Sequence, residues 1–186
     1  MLRHTLAIAL LAATTSAMAD TLDINLGEKA AQFKYAMPMG RDALGRSEFN
    51  AGLLYREGGD GMVDAGILVT NEVGAGAPGL TAGVGVKGLL ASARNQEGGA
   101  LALGGFARYS PPAARRFGIV GQIYYAPNIV SFGDLDRFVE TTARLEYEIL
   151  PQATAYVGYR KIRLGLDRTR DATLDEGVHV GIRLTF

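Results

Sequence analysis

The chain contains no cysteine among its 186 residues. Disulfides and thiolate chemistry are therefore excluded, and whatever holds the fold together must be packing, hydrogen bonds and charge. Histidine is nearly as scarce. Beyond His4 there is only His179, so a metal centre built on several imidazoles is not available. Charge of one sign is also lacking, because 19 basic residues face 19 acidic ones. No global charge marks a nucleic-acid binder. Finally, no segment after the first twenty residues approaches the roughly 18 consecutive apolar residues that a membrane-spanning helix needs.

The amino terminus reads differently. Arg3 and His4 precede an apolar run from Leu6 to Ala13, and Ala17-Met18-Ala19 places small side chains before a polar Asp20. This is the pattern of a cleaved secretory signal, expected to span residues 1–19, with cleavage after Ala19. Residues 20–186 then form one domain.

From residue 21 onward apolar residues recur at every second position, the period of a strand with two unlike faces. Val178, Val180, Ile182, Leu184 and Phe186 alternate with His179, Gly181, Arg183 and Thr185. Val139 to Ile149 alternates in the same way against Glu140, Thr142, Arg144, Glu146 and Glu148. The pattern predicts strands near 21–26, 30–37, 47–57, 62–71, 80–90, 99–110, 117–126, 136–149, 153–163 and 173–186. That makes ten, or eight if the two at the amino end do not span, since 21–26 falls short of the about 9–11 residues of a tilted spanning strand. Connections alternate between tight turns, such as Leu150-Pro151-Gln152, and longer polar segments at 94–99, 127–136 and 164–172. The connections at 57–61 and 72–79 break that alternation.

An antiparallel transmembrane β-barrel is the expected fold, because only a closed sheet satisfies every backbone group between strands in lipid. With the end at Phe186 taken as periplasmic, the aromatic residues on the apolar face sort by height. Tyr35, Phe49, Tyr109, Phe117, Tyr147 and Phe186 fall at the periplasmic end, and Tyr55, Tyr125 and Tyr159 at the outer end. Two aromatic girdles around an aliphatic band are what a bilayer selects. The other face carries Lys87, Arg108, Glu140, Arg144, Glu146, Arg160, His179 and Arg183, with Lys34, Glu48, Asp64 and Gln122. It is expected to line a narrow lumen as a hydrated ion-pair plug. Gly66, Gly83, Gly85, Gly104, Gly158 and Gly181 are expected to give room there to Phe106, Tyr124, Tyr156 and the arginines.

The glycine-rich Gly83-Val84-Gly85-Val86-Lys87-Gly88, the Ile123-Tyr124-Tyr125-Ala126-Pro127 strand end, the Val157-Gly158-Tyr159-Arg160 strand and the leading signal together resemble the YfaZ family of outer-membrane proteins. The resemblance runs over nearly the whole chain after the signal. It implies location and architecture, with no catalytic residues to carry over. The last strand, with Val178, Val180, Ile182, Leu184 and Phe186 on one face, also looks like the signal read by the barrel assembly machinery, to which an amphipathic edge strand can pair.

Other chemistry is weaker. Gly83 to Gly88 matches G-x-G-x-x-G, but lacks the buried parallel strand of a dinucleotide site. By alternation His179 points inward, and Ser110, Ser131 and Thr141 do not obviously meet it, so a structural lumen histidine is the leading expectation and a rim-active, lipid-modifying hydrolase or acyltransferase is kept as an alternative. Asp167, Thr169, Asp171 and Asp175 have oxygen donors that could hold Ca²⁺. Arg94, Arg168 and Arg170 could meet lipopolysaccharide phosphates. The expectation is a non-enzymatic outer-membrane barrel without cofactor or metal, contacting outer-membrane lipid and lipopolysaccharide. A small-solute or ion channel with selectivity set by lumen charge is the first alternative, and an adhesion scaffold acting through its outer loops is another.

Overall fold

The computed structural model describes residues 19–43, 45–166 and 171–186. The expected signal segment up to Met18, and Asp167, Arg168, Thr169 and Arg170, lie outside the described residues.

Ten long strands close into one antiparallel barrel. They are β1 (Thr21–Gly27), β2 (Ala30–Asp42), β3 (Gly45–Arg56), β4 (Gly61–Glu72), β5 (Leu80–Ala93), β6 (Gln96–Tyr109), β7 (Phe117–Ala126), β9 (Leu135–Leu150), β10 (Ala153–Leu166) and β11 (Ala172–Thr185). A three-residue strand, β8 (Ser131–Gly133), follows a short 3-10 turn at Asn128–Val130. Each long strand pairs with its neighbours in sequence, and β1 pairs with β11, so the sheet has no lateral edge at mid-height. This is the arrangement that spares unpaired N–H and C=O groups in hydrocarbon.

The ten-strand count stands over eight. Although β1 has only seven residues, it is bonded on both sides, to β2 from Thr21 to Leu26 and to β11 over its full length. Above Gly27 the wall loses this strand, and Arg56 fills the gap. Its guanidinium donates to the Thr173 carbonyl at 2.5 Å and the Leu174 carbonyl at 3.2 Å, standing in for a missing strand partner. A second local substitution occurs at β8. Beyond Leu103 the outer part of β6 no longer pairs with β7, and β8 takes Gly98 to Ala100 instead.

One expected loop is absent. Residues 94–99 do not form a longer polar connection, because β5 runs on to Ala93, β6 starts at Gln96, and only Arg94 and Asn95 lie between. Both have positive φ, 53° and 63°, the backbone of the two-residue hairpin turn whose twist matches that of the strands. The polar side chains of this stretch resemble a loop, but they belong to strands rising above the apolar band. The Gly83 to Gly88 stretch lies inside β5 with antiparallel partners on both sides, so its glycines form no dinucleotide turn.

The apolar face is outward. Val84, Leu103, Ile119, Leu145, Val180 and Phe186 are all more than half exposed on the barrel wall, at 70, 68, 56, 58, 57 and 69 %. A soluble protein of this size rarely leaves so continuous an apolar surface uncovered; lipid covers it here.

Candidate functional site in the lumen

The inward side chains form layers. Nearest the chain termini, β1, β9, β10 and β11 bring together Asp23, Arg144, Glu146, Tyr156 and Arg183. Arg183 donates to Glu146 at 2.9 Å and lies 3.3 Å from Asp23. Arg144 lies 3.0 Å from Glu146 and 3.4 Å from Asp23. Arg108 on β6 reaches Glu146 past the intervening β7, at 3.3 Å. The Tyr156 hydroxyl donates to Asp23, and the Arg144 guanidinium stands over the Tyr156 ring, 5.0 Å from its centre.

The next layer holds Lys34, Asp64, Lys87, Glu140, Arg160 and Asp175. The Lys87 ammonium donates to Glu140 and sits 3.8 Å from Asp64, and Lys34 lies 3.7 Å from Glu140. Lys87 also faces two aromatic rings, Tyr124 at 4.6 Å and Phe138 at 5.3 Å, which favour a cation over their π-faces. Arg160 is fully buried. It donates to Asp175 at 2.7 Å, to Asn25 at 3.0 Å and to Gln32. His179 packs edge-on against Tyr156, with ring centres 5.9 Å apart.

These contacts place all eight residues expected in the lumen inside the barrel, and apart from His179, which packs on Tyr156, each pairs with an opposite charge. Sequence reasoning did not find the amide pair Asn25 and Gln32, nor the carboxylates Asp23 and Asp175 as partners. The alternation that puts Asp23 and Asn25 on the same face as His179 was a usable signal. The suggested Ca²⁺ role of Asp175 is overturned, because its carboxylate points inward and is taken by Arg160. Asp171 pairs with Arg137 at 2.9 Å, and among the described residues no group of acids and histidines could hold a metal ion.

The glycines give the room expected of them. A Cβ on Gly104 would fall on the Tyr124 ring, and one on Gly181 on the Tyr156 ring. One on Gly158 would lie 2.8 Å from Arg144 and 2.9 Å from His179. Large rings cross the narrow lumen only because the facing wall is bare backbone.

The outer half of the lumen departs from expectation. It is no ion-pair plug but an apolar core, in which Leu54, Phe138, Ile162, Leu164 and Leu174 are at most 1 % exposed and pack with Met62, Leu89, Leu135 and Leu166. Strands continuing above the bilayer face one another instead of a channel, and their inward positions fill with aliphatic side chains as any small barrel does.

On the outer wall, Tyr55, Tyr125 and Tyr159 lie near the loop end. Tyr35, Tyr109, Phe117, Tyr147 and Phe186 lie near the terminal end, and all eight are more than a third exposed, while Phe49 is half-buried. Phe117 and Tyr147 form a tilted cross-strand pair at 4.8 Å. Val178, Val180, Ile182 and Leu184 form the outward row of β11. Two clefts open at the loop end. One of about 500 Å³ is lined by Lys29, Arg56, Glu57, Asp60, Arg94 and Thr173, and one of about 390 Å³ by Tyr125, Asn128, Asp136, Arg137 and Asp171.

No curated protein matches the chain. Among solved structures it is similar to the KdgM porin, with 10 % identity and a TM-score of 0.44 over 91 % of this chain and 99 % of that one. The KdgM porin in complex with disordered oligogalacturonate gives the same figures. A chain from work on the in-meso crystallization of membrane proteins shares 11 % identity, with a TM-score of 0.46 over 91 % of this chain and 83 % of that one. The family model described as YfaZ precursor matches residues 1–186, the full chain. With the closed antiparallel barrel and its lipid-facing apolar wall, that match makes the chain a member of the YfaZ family, an exported outer-membrane β-barrel protein.

Proposed function

We propose that this barrel is a sealed, non-enzymatic scaffold of the outer membrane, whose task is carried by its outer wall and loops and not by transport through its lumen. The carrying observation is the apolar core across the outer half of the lumen, centred on Phe138, Ile162, Leu164 and Leu174. An ion crossing it would shed its hydration in a dry aliphatic layer, which costs far more than thermal energy supplies. A rim enzyme is disfavoured by His179, which is buried in the lumen beside Tyr156, and by Ser131, whose hydroxyl donates to the Pro127 carbonyl. In this reading the outward row of β11 ending at Phe186 serves recognition by the barrel assembly machinery.

Conductance of the purified barrel in planar bilayers tests the reading. Wild type is expected to be silent, and a Phe138→Ala, Leu164→Ala variant to conduct in discrete steps. Wild-type steps whose ion selectivity changes on Arg144→Ala, Arg160→Ala substitution would instead support the second reading, a small-solute or ion channel. What favours that second reading is water access to the charged layers, where the side chains of Lys34 and Arg108 are 28 and 37 % exposed.

A further inference from the structure

Among the described residues, the outward faces of the strands carry cations in one sector. On β10, strand alternation places Tyr159, Lys161 and Arg163 successively on the outward side, so a girdle tyrosine is followed by two cations one and two pleats further out. Two residues span about 6.6 Å of strand, which sets each cation directly beyond the last. Arg163 pairs with Val139, which pairs with Tyr125, and Arg137 is the next outward residue beyond Val139 on β9. Arg137, Lys161 and Arg163 therefore gather just outside the row formed by Tyr125 and Tyr159. Elsewhere the outward wall toward the loop end is apolar, with Val63, Leu90 and Leu101 about half exposed. Beside the cations opens the cleft of about 390 Å³ that Tyr125, Asn128, Asp136, Arg137 and Asp171 line.

The carboxylates in this sector hold the cations loosely. Lys161 lies 2.5 Å from Glu176, which also accepts from the Tyr159 hydroxyl, and Arg137 lies 2.9 Å from Asp171. Solvent-exposed pairs of this kind contribute only about 0–1 kcal/mol. A phosphate group offers more charge and a geometry that a guanidinium can grip with two bonds. Girdle aromatics mark where acyl chains end, so a charge just outside them meets lipid headgroups and not hydrocarbon.

We propose that the outward face of β9, β10 and β11 beyond Tyr125 and Tyr159 binds a phosphorylated lipid of the outer leaflet, with Arg137, Lys161 and Arg163 as the phosphate donors. The proposal rests on the outer-membrane reading with the chain termini facing the periplasm. It is tested by titrating the detergent-solubilised full chain with bis-phosphorylated lipid A and counting bound lipid by native mass spectrometry. An Arg137→Gln, Arg163→Gln variant is expected to bind at least about tenfold more weakly, and dephosphorylated lipid A to bind wild type equally weakly. Unchanged affinity in the variant, or equal binding of the dephosphorylated lipid, would overturn the proposal. The gel mobility shift on heating reports folding; should the double variant lose it, Arg163→Gln alone is expected to weaken binding several-fold, and unchanged affinity there overturns the proposal equally. Surface labelling of an engineered cysteine at Ser131 on intact cells tests the orientation separately, so a failure of the reading and a failure of the lipid site are distinguishable.

Discussion

The Lys87 ammonium meets the Glu140 carboxylate across the lumen, from β5 and β9, which are separated in the wall by β6 and β7. Both side chains are almost completely buried, at 3 and 1 % exposed. Removing one partner from such a pair leaves a charge without compensation and costs about 3–5 kcal/mol. Lys87→Met is therefore expected to lower stability by that amount in urea titrations of the barrel folded into liposomes. Because either single change takes away the other group's main counter-charge, leaving Glu140 with the more distant Lys34 at 3.7 Å or Lys87 with Asp64 at 3.8 Å, the Lys87→Met, Glu140→Met double variant is expected to cost less than the sum of the single changes. Additive losses would show that the two groups act independently.

The lumen glycines predict a contrast between inward and outward positions. A methyl at Gly181 would meet the Tyr156 ring and the Ile24 carbonyl, whereas a methyl at Gly88 points outward with nothing within 4 Å. Overpacking of a filled interior costs about 1–3 kcal/mol. Gly181→Ala should lose that much in the same titration and cost less when it is made in a Tyr156→Ala background, while Gly88→Ala should stay within about 0.5 kcal/mol of wild type.

Arg56 closes the wall where β1 stops, and its two bonds go to the carbonyls of Thr173 and Leu174. Hydrogen bonds from a charged donor contribute about 1.5–3 kcal/mol each way they are measured. Arg56→Met should free the start of β11, and limited proteolysis of intact cells should then cut near residue 171 faster than in wild type. Equal rates would mean that the outer end of β11 is held by β10 alone.

The strands were legible because a lipid-facing wall and a charged lumen impose opposite chemistry on alternate residues, as between Val178 and His179 or Leu145 and Arg144. Where that contrast ends, legibility ends with it. Leu89-Leu90-Ala91 is apolar on both faces, so alternation cannot reveal that Leu89 and Ala91 enter a core and Leu90 faces outward. Ion-pair partners were hidden for another reason. Lys87 and Glu140 are brought together by barrel closure and register over four strands, and neither is encoded in local spacing. The gap beside β1 and its closure by Arg56 depend on strand lengths differing by a few residues, which periodicity does not resolve.

The β5–β6 turn allows the register of that hairpin to be tested through two residues. Arg94 and Asn95 both occupy left-handed backbone, at φ of 53° and 63°, where most side chains pay about 1–2 kcal/mol and asparagine or glycine pays least. The Arg94 amide is already engaged, donating to Asp60 at 3.1 Å, so the turn is tied to the neighbouring β3–β4 loop and cannot relax by lengthening. Asn95→Gly should therefore be neutral or stabilising by about 0.5 kcal/mol, the strain relieved being partly offset by the freer unfolded chain. Asn95→Val, with a branched Cβ that resists positive φ, should cost about 1–2 kcal/mol. Urea titration of both variants separates a strained two-residue turn from a longer polar connection, in which Gly and Val at this position would differ little.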